Sequence, residues 1–503
     1  MIVKFSKKKN VLVYGAGEAG RQLVNSLKNN TEFKVVGFLD DNKRLHKQVS
    51  LNQRIYPPSS LEELIVSKDV SLVFLSIPSI VRSKRNQIIK KLNKFKLIVK
   101  TLPSISEIID GRVTISDIKD LNVDDLLNRE KVEPNILLLN KNINKKTILV
   151  TGAGGSIGSE LCRQIIKLSP KRLLLLELNE FSLYKIYEEL KIYEINQKIV
   201  PLLVDSQDQS KLEIIFETFK IDTVYHAAAY KHVPLVEENI CAGVKNNVFS
   251  TLAVVQASII KKISNLVLIS SDKAVRPTNV MGASKRLAEL CMQAIYKYKY
   301  NKSFKTNFSI VRFGNVLESS GSVIPKFKKQ IIEGGPVTLT HKDVTRYFMT
   351  ITEAAQLVIQ AGAMSKHSEV FVLDMGQRIK ILDLIKKMIN LLGFTVKDNK
   401  NPKGDIEIKI IGLRPGEKLY EELLIGNNPK KTRHPKIQKI NDPFIPYEKL
   451  NWELKNLENL INKNKAKEVK KLLEKLIKSY KSNSEIVDHI YSQEMILLDK
   501  DLI

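Results

Sequence analysis

Residues 147–161 read TILVTGAGGSIGSEL, an apolar run followed by a glycine-rich turn and a stretch with helical spacing. Gly152, Gly155 and Gly158 suit a tight turn from strand to helix in which the backbone can approach a phosphate. Glu177 ends the next apolar segment, where a carboxylate can accept the ribose hydroxyls of NAD and would repel the 2′-phosphate of NADP. The stretch therefore predicts a strand–turn–helix unit that binds NAD.

Short apolar segments continue to alternate with helical ones beyond this turn. They read RLLLLELN (172–179), KIVPLLVD (198–205), IDTVYHAAA (221–229), NLVLISSDKAV (265–275) and FSIVRFGNV (308–316). Such alternation predicts a doubly wound parallel sheet with helices on both faces. Asp205, at the end of one of these segments, is a candidate contact for adenine.

A second glycine turn stands near the start of the chain. Gly15, Gly17 and Gly20 form GxGxxG after an apolar segment, and Asp40 ends the next one. The context favours another nucleotide-binding loop. The alternative is a Rossmann-like domain that has kept its turn but binds nothing. We place no catalysis here.

Together these patterns predict an α/β protein with two consecutive Rossmann-like sheets, the second one extended by a smaller substrate subdomain and a helical tail. The predicted divisions are an N-terminal domain (1–128), a linker (129–145), a catalytic domain (146–435) and a helical C-terminal tail (436–503). Alternation weakens from about Gly321, so we expect the stretch from there to Pro435 to cover the substrate. The tail from Tyr447 to Tyr480 has apolar residues at helical spacing, which suits packing or oligomerisation.

Composition narrows the classes of protein. The 503 residues carry a formal charge of +27, are 43% hydrophobic and include three cysteines without metal-ligand spacing. We therefore expect a cytoplasmic protein with no metal and no disulfide framework. No apolar stretch approaches the roughly 20 residues that a transmembrane helix needs. The lysines are spread along the whole chain, so we expect no nucleic-acid binding, although weak peripheral attraction to anionic membranes fits the charge.

Several further stretches resemble one family. They are HAAAYKHVPLVEEN (226–239), ISSDKAVRPTNVMGASKR (269–286), RFGNV (312–316), SSGSVIP (319–325), VTRYFMTI (344–351) and GLRPGEKLYEEL (412–423). With the glycine turn, they resemble the extended short-chain dehydrogenase/reductase superfamily. More closely, they resemble the large UDP-N-acetylglucosamine 4,6-dehydratases, lyases of bacterial capsule, O-antigen and glycan biosynthesis. Two features depart from that family. Its large members carry transmembrane helices before the first domain, and we expect none in this sequence. Glu318 stands where a small residue is expected.

The resemblance implies an internal redox cycle with NAD. Hydride leaves C4 of the sugar, the C5 proton and the C6 hydroxyl are lost, and hydride returns to C6. The resemblance gives Asp272 as the acid toward the C6 oxygen, Lys273 as the base at C5, and Ser271 as a hydrogen-bond partner of the C4 hydroxyl. An Asp–Lys ion pair would stabilise the charge states opposite to these roles, so either desolvation dominates or the roles are exchanged.

One catalytic position differs from ordinary members of the superfamily. They use a Tyr-x-x-x-Lys pair, and here Lys285 is present while Met281 replaces the tyrosine. A thioether cannot transfer a proton, which taken alone could mean a dead enzyme. The resemblance implies an active one, because large dehydratases also carry methionine there. It further implies that the C5 configuration is retained. We expect Met281 to serve only as an apolar wall near the nicotinamide.

The remaining candidates are binding residues. For the cofactor they are Gly152, Gly155, Ser156, Ile157, Gly158, Glu177, Asp205, Ala227, Ala228, Lys231, Asn247 and Lys285. For the sugar nucleotide they are His232, Asn315, Arg346, Arg414 and Glu417. The guanidinium groups suit a diphosphate. His226 and His232 are better explained as packing or loop residues than as general bases.

The sequence leaves two rival functions open. One is a UDP-sugar 4-epimerase, which shares the cofactor and the oxidation at C4. The other is a non-catalytic, nucleotide-sensing scaffold of an envelope assembly. In our interpretation the substrate is a UDP-N-acetylhexosamine, most simply UDP-N-acetylglucosamine, and the protein is a homo-oligomer.

Overall fold

The fold is known from a computed structural model. It describes residues 8–28, 30–77, 80, 82–92, 95, 97–101, 119–120, 132–193, 198–300, 306–392, 394–424, 429–482 and 485–500. The predicted domain end at Asn128 and the first part of the predicted linker lie outside these residues, so the domain boundaries stay a prediction.

The strands are numbered in chain order. They are β1 Lys9–Tyr14, β2 Phe33–Leu39, β3 Val49–Ser50, β4 Gln53–Tyr56, β5 Val70–Leu75, β6 Ile98–Thr101, β7 Lys119–Asp120, β8 Thr147–Thr151, β9 Arg172–Glu177, β10 Lys198–Leu203, β11 Thr223–His226, β12 Asn265–Ile269, β13 Asn307–Arg312, β14 Asn315–Val316, β15 Val337–Leu339, β16 Thr345–Arg346, β17 Phe348–Met349, β18 Ser368–Leu373, β19 Ile379–Lys380, β20 Val396–Lys397, β21 Ile406–Ile410, β22 Lys430–Lys431 and β23 Ile437–Ile440.

The α-helices are numbered in the same way. They are α1 Glu18–Leu27, α2 Leu61–Ser67, α3 Arg82–Leu92, α4 Ile136–Lys141, α5 Ser156–Ile166, α6 Glu180–Leu190, α7 Gln209–Phe219, α8 Val233–Glu237, α9 Ile240–Val244, α10 Ser250–Ile260, α11 Val280–Tyr300, α12 Val323–Ile332, α13 Ile351–Met364, α14 Ile381–Leu391, α15 Tyr447–Asn462, α16 Ala466–Leu476 and α17 His489–Lys500.

The chain divides into two compact units. The first consists of Met1–Glu130, Lys326–Lys342 and Ile381–Ile411, and the second of Lys131–Pro325, Asp343–Lys380 and Gly412–Ile503. The first unit has a seven-stranded sheet in the order β3-β4-β2-β1-β5-β6-β7. Its five central strands are parallel, and the strands at the two ends run antiparallel to their neighbours. A separate parallel sheet, β15-β21-β20, also belongs to this unit.

The second unit has a nine-stranded sheet in the order β10-β9-β8-β11-β12-β13-β18-β23-β22. Strands β10 to β18 in this order are parallel, and β23 and β22 follow antiparallel. The order reverses between β8 and β11, which in such sheets opens a ligand crevice at the carboxyl ends of the strands. The predicted fold class is confirmed in both units.

Burial on both faces explains why the central strands are so apolar. Ile148 and Val150 of β8 pack with residues of α5 and α13, whereas Leu149 points to the other face and packs with α7 and α10. Each such fully buried aliphatic side chain contributes roughly 1.5–3 kcal/mol. The sandwich of helices around one parallel sheet therefore holds the carboxyl ends of β8, β11 and β12 in fixed positions.

The C-terminal segment differs from the prediction at its start. Residues 436–503 were predicted as a helical tail, but Ile437–Ile440 form β23, which pairs with β18. The segment reads IQKI, with two polar residues between the isoleucines, so it has no apolar run that would signal a strand. Helices α15 and α16 follow as predicted, and their apolar residues, such as Leu457 and Leu473, pack in one cluster with α11. Among the described residues, no helix is both long and apolar enough to cross a membrane.

Candidate active site

The glycine turn between β8 and α5 is built by close backbone contacts. Gly152 has a φ of 63°, and a Cβ there would lie 2.7 Å from the Ala228 nitrogen. A Cβ on Gly158 would lie 2.0 Å from the Gly152 oxygen. Gly155 caps α5 at its N-terminus. Only glycines allow this packing, which leaves the first N–H groups of α5 available to an anion.

Glu177 closes the turn from the side. Its carboxylate accepts hydrogen bonds from the backbone nitrogens of Gly154 (3.0 Å), Leu178 (2.9 Å) and Asn179 (3.1 Å). The acid that we predicted to contact ribose thus also fixes the shape of the glycine turn. Asp205 lies after β10 and accepts from the backbone nitrogen of Gln207 at 2.9 Å.

A second loop reaches the start of α5. The Ser156 hydroxyl donates to Ser320 Oγ at 3.3 Å and accepts from the Ser320 backbone nitrogen at 3.0 Å. Glu318, the unexpected residue before this loop, has a φ of 55° and an exposed side chain. The left-handed backbone explains why a small residue is expected there, and outward exposure gives the glutamate room. Ile157, the next residue of α5, packs against the apolar core.

Ser271, Asp272 and Lys273 form a polar cluster directly after β12. Asp272–Ala274 make one short 3₁₀ turn that Ser271 caps through its hydroxyl. The Ser271 hydroxyl donates to Asp272 Oδ1 at 2.9 Å, and Lys273 Nζ donates to the same oxygen at 3.0 Å. The three residues predicted to carry the chemistry therefore share one carboxylate oxygen.

The other oxygen of Asp272 has a different environment. Asp272 is 1% exposed, and Oδ2 has no hydrogen-bond partner in the described part of the chain. The backbone of Gly314 lies beside it, since a Cβ there would stand 3.1 Å from Oδ2. A buried carboxylate oxygen without a donor costs free energy unless a ligand or a proton satisfies it. Oδ2 is thus the oxygen of Asp272 that no donor in the described part of the chain satisfies.

Lys273 is held as an ammonium. Nζ also donates to Asn315 Oδ1 at 2.9 Å and lies 3.7 Å from Glu421 Oε1. Burial alone would lower the pKa of Lys273, but the charges of Asp272 and Glu421 outweigh it and the pKa is raised. The ion pair considered in the sequence argument is therefore present in this arrangement.

Arg346 lies next to this cluster, on β16. Its guanidinium is 3.2 Å from Glu417 Oε1 and 3.8 Å from Glu421 Oε1. Glu417 also accepts from the Arg414 backbone nitrogen at 3.2 Å, while the Arg414 residue is exposed. The predicted substrate residues Asn315, Arg346 and Glu417 thus come close to Lys273, and the Arg414 side chain remains in solvent.

The helix that normally carries the tyrosine and lysine pair is α11. Met281 is 3% exposed and packs in the apolar cluster of α11 with α15 and α16. Lys285 donates from Nζ to the Ile269 carbonyl oxygen at 2.8 Å, and burial lowers its pKa to about 8. Met281 thus has a packing role in addition to the one expected of it.

A chain of hydrogen bonds lies under the glycine turn. The Thr151 hydroxyl is 2.7 Å from His226 Nδ1, and His226 Nε2 is 3.2 Å from the Thr251 hydroxyl. Thr251 donates onward to the Asn247 carbonyl oxygen at 2.9 Å, so His226 must donate from Nε2. Burial, followed by the charge of Lys285, lowers the pKa of His226 to about 3. His226 is a neutral structural residue, in agreement with its interpretation from sequence.

Asn247 stands on a π-helical turn, Lys245–Phe249, between α9 and α10. Its side chain accepts from the Tyr230 nitrogen at 2.7 Å and donates to Ser284 Oγ at 2.9 Å. It therefore orders the loop after β11 that carries Ala227, Ala228 and Lys231. His232 in that loop lies against Gly321, where a Cβ would stand 2.2 Å from the ring.

The N-terminal glycine turn repeats this construction in the first unit. Gly15 has a φ of 107°, and a Cβ on Gly20 would lie 1.9 Å from the Gly15 oxygen. Gly17 caps α1. Asp40 accepts from the Ala16 backbone nitrogen at 2.7 Å, the counterpart of the bond between Glu177 and its turn. Both turns keep the geometry of a nucleotide loop.

The sequence argument gave no role to two residues that the structure places at or behind this cluster. Glu421 lies in the stretch GLRPGEKLYEEL (412–423), but the sequence argument assigned it no role. Gly282 lets α11 approach the Lys273 carbonyl, since a Cβ on Gly282 would stand 2.2 Å from that oxygen. The glycine inside a helical pattern was the available signal.

Among the described residues, no cluster of histidine, cysteine and carboxylate side chains could hold a metal ion.

A glycine turn at the reversal point of a parallel sheet, with an acid after the second strand, defines a Rossmann-type dinucleotide-binding protein. Residues 148–442 match the family described as "Polysaccharide biosynthesis protein", and residues 9–101 match "Oxidoreductase family, NAD-binding Rossmann fold". The chain belongs to the polysaccharide biosynthesis protein family. NAD is confirmed as the cofactor, and its assignment to the Gly152 turn stays a prediction.

Similar proteins agree with this membership. The chain is 43% identical over 427 residues to the capsular polysaccharide biosynthesis protein CapD of Staphylococcus aureus, covering 84% of this chain and 69% of that protein. It is 31% identical over 283 residues to a UDP-glucose 4-epimerase of Rickettsia bellii, covering 56% of this chain and 77% of that protein. The X-ray structure of Pen from Bacillus thuringiensis matches with a TM-score of 0.54 at 33% identity, covering 63% of this chain and 99% of that one.

Proposed function

We propose that the protein is an NAD-dependent 4,6-dehydratase of a UDP-N-acetylhexosamine that serves surface polysaccharide biosynthesis. The substrate we favour is UDP-N-acetylglucosamine, converted to the 4-keto-6-deoxy sugar with the C5 configuration retained. One observation carries the proposal. A buried aspartate with an unsatisfied oxygen and a lysine share a hydrogen bond of 3.0 Å at the carboxyl end of β12. Elimination needs such an acid and base side by side, whereas epimerisation does not.

The residues present fit NAD. The turn at Gly152 and Gly158 is a cradle that any Cβ would fill, and Glu177 stands at its side. In the proposal the N–H groups at the start of α5 would hold the diphosphate, with Glu177 at a ribose and Asp205 near the adenine. When bound, NAD supplies the acceptor and donor of the hydride exchanged with the sugar.

Ser271 gives the C4 hydroxyl proton a path away from the sugar. The Ser271 hydroxyl donates to Asp272 Oδ1, and its oxygen accepts from the Lys273 backbone nitrogen at 3.2 Å. One lone pair of that oxygen is left for a substrate hydroxyl. The C4 proton can pass through Ser271 to Asp272 as C4 is oxidised. Asp272 then becomes the carboxylic acid that its role requires.

Protonation of Asp272 also prepares Lys273. The charge of Asp272 is the largest influence that keeps the Lys273 proton in place, so its loss lets the proton leave through the 20% of the side chain that is exposed. The free amine can then take the acidified C5 proton while Asp272 protonates the departing C6 oxygen as water. The cycle returns Asp272 to carboxylate and Lys273 to ammonium, the state seen in the structure. That ammonium then gives a proton to C5 as the hydride returns to C6, and the Lys273 amine takes up a proton from solvent, which restores the starting state.

The diphosphate of the substrate needs cations near this cluster. Arg346 is 9% exposed and is held by Glu417, so its guanidinium is oriented in advance. Arg414 is free in solvent to close on the ligand. We assign both to the UDP moiety, with Asn315 and His232 toward the sugar.

A UDP-sugar 4-epimerase is the second candidate, supported by the epimerase named among the relatives. The experiment that decides is incubation of the purified protein with UDP-N-acetylglucosamine in D₂O, followed by NMR. Loss of water, a 4-keto product and deuterium at C5 support the dehydratase, and coupling constants report which face received the deuterium. A C4 epimer as the product would replace the proposal by the epimerase. Absence of turnover would support a nucleotide-sensing scaffold.

A further inference from the structure

Lys273 lies between two buried carboxylates, and only one of them has a role so far. Asp272 Oδ1 is 3.0 Å from Nζ on one side, and Glu421 Oε1 is 3.7 Å from Nζ on the other. Glu421 is 4% exposed. Its second oxygen, Oε2, is buried and finds no donor in the part of the chain that the structure describes. A nearly buried carboxylate kept beside a catalytic amine calls for an explanation beyond packing.

The segment that carries Glu421 is hydrogen-bonded to the loop that follows Ser271, Asp272 and Lys273. The Gly416 carbonyl oxygen accepts from Thr278 Oγ1 at 3.0 Å and from Asn279 Nδ2 at 2.9 Å. Lys418 Nζ donates to the Val275 carbonyl oxygen at 3.0 Å. These bonds tie residues 416–418 to residues 275–279, a loop that begins two residues after Lys273. Glu421 therefore follows, by three residues, a segment that side-chain-to-backbone hydrogen bonds fix to this loop.

Four charged groups act on Lys273. Asp272 and Glu421 favour its ammonium form, and Arg346 opposes it. Lys231 is the fourth, and its own pKa responds to the charge of Lys273. Arg346 Nε also lies 3.8 Å from Glu421 Oε1. When Asp272 is protonated during the proposed reaction, Glu421 is the remaining carboxylate next to Nζ.

We propose that Glu421 is a positioning residue that sets the basicity of Lys273 during elimination. The inference rests on the proposed function. Once Asp272 is neutral, burial alone would leave Lys273 a weak base that could not hold the C5 proton. Glu421 offsets that burial and stabilises the ammonium that forms as the C5–H bond breaks. It acts through Lys273 and needs no contact with the substrate.

The test reads the base in a partial reaction. The wild-type enzyme makes the 4-keto product in D₂O, and this C5-deuterated product is returned to enzyme in H₂O. NMR follows loss of the C5 deuterium between pH 5 and 10, with the enzyme-free rate subtracted. Exchange requires neutral Lys273, so its rate rises with pH toward a midpoint at the pKa of that amine. Because Asp272 and Glu421 raise that pKa, the wild-type rate should still be rising at pH 10. Glu421→Gln should move the midpoint down by roughly 1–3 pH units, the effect of losing an opposite charge at this distance.

The neighbouring Glu422 provides a matched control. It pairs with Arg276 at 2.7 Å, away from Lys273, so Glu422→Gln should leave the midpoint unchanged. Glu421→Asp keeps the charge but places it farther from Lys273 Nζ, so the midpoint should move down by less. This variant tests the inference if Glu421→Gln does not fold. An unshifted midpoint in a folded Glu421 variant overturns the inference. A wild-type enzyme that forms no 4-keto product instead overturns the proposed function.

Discussion

At the scale of single residues, the site depends on where protons can sit. Ser271 and Lys273 both donate to Asp272 Oδ1, so a proton relayed through Ser271 would reach that oxygen, while Oδ2 is buried without a donor in the described part of the chain. In the proposed reaction, this one carboxylate receives the proton of a sugar hydroxyl and releases it to a leaving group. The arrangement also means that the acid and the base cannot be varied independently, because each sets the charge of the other.

Asp272→Asn and Lys273→Ala should each reduce dehydration by about 10²–10⁴-fold or more, since general acid–base groups contribute that much. NAD affinity should change little, because neither side chain contacts the glycine turn. Product formation by NMR and NAD binding by calorimetry check the two parts. Near-normal turnover of Lys273→Ala would exclude it as the base.

Met281 should matter for stability more than for chemistry. It is 3% exposed within an apolar cluster, so Met281→Ala should lower the free energy of unfolding by roughly 2–5 kcal/mol. Met281→Leu keeps the volume and should cost less than about 1.5 kcal/mol. Both should keep kcat within about tenfold of wild type at a temperature where they are folded. A loss of kcat like that of the Asp272 variant, without loss of stability, would contradict this view.

At the scale of elements, the short turn that carries Asp272 and Lys273 depends on the close approach of α11. A Cβ at position 282 would lie 2.2 Å from the Lys273 carbonyl oxygen, a backbone atom that cannot move without the turn. In an open helix, Gly→Ala stabilises by about 1 kcal/mol. Gly282→Ala should instead reduce turnover at least about tenfold and lower the melting temperature. Gly17→Ala adds the same methyl group where no atom lies within 4 Å and should be tolerated. A more stable, fully active Gly282→Ala would show that α11 can shift freely.

The buried network of β8, β11 and α10 should make the fold sensitive to acid. Folded His226 has a pKa of about 3, whereas unfolded histidine titrates near 6.5, so the unfolded state binds the extra proton between these values. The stability is therefore complete above about pH 6.5 and is lost as the pH falls below it, by roughly 2 kcal/mol at pH 5.

Urea unfolding at pH 7.5 and pH 5 measures this loss. His226→Gln should be less stable at pH 7.5 but should lose less on acidification than wild type. His489→Gln, at a side chain that is 74% exposed, should behave like wild type at both pH values. An equal acid loss in the wild type and His226→Gln would assign the effect to other groups.

How far sequence predicts these elements depends on how local their signals are. The strands around Gly152 were predictable because each carries its own apolar run and the turn its own glycines. Strand β23 was not, since its sequence IQKI has neither an apolar run nor strict alternation and its pairing with β18 is tertiary. Ser271, Asp272 and Lys273 adjoin in sequence, so their cluster was foreseeable. Glu421 approaches Lys273 only through the anchored loop 416–418, which no local pattern encodes.

At the scale of the whole molecule, the chain contains two turns of the same design in two units. Glu177 accepts from the Gly154 nitrogen at 3.0 Å, and Asp40 accepts from the Ala16 nitrogen at 2.7 Å. The match to the NAD-binding Rossmann family covers residues 9–101, the part with Asp40, whereas the residues of the proposed chemistry lie in the unit that contains Glu177. Which turn serves the reaction is therefore a question that a matched pair of variants can answer.

Glu177→Ala removes a carboxylate that holds three backbone N–H groups, and hydrogen bonds to a charged group are worth about 1.5–3 kcal/mol each. After removal of resident cofactor, this variant should need at least about tenfold more NAD for half-maximal turnover, with its affinity for UDP changed far less. Asp40→Ala should leave the NAD requirement as in wild type. In both cases turnover should proceed without added reductant and without net NADH, because the hydride returns to the same sugar. If Asp40→Ala raised the NAD requirement and Glu177→Ala did not, the reaction's cofactor would belong to the N-terminal turn.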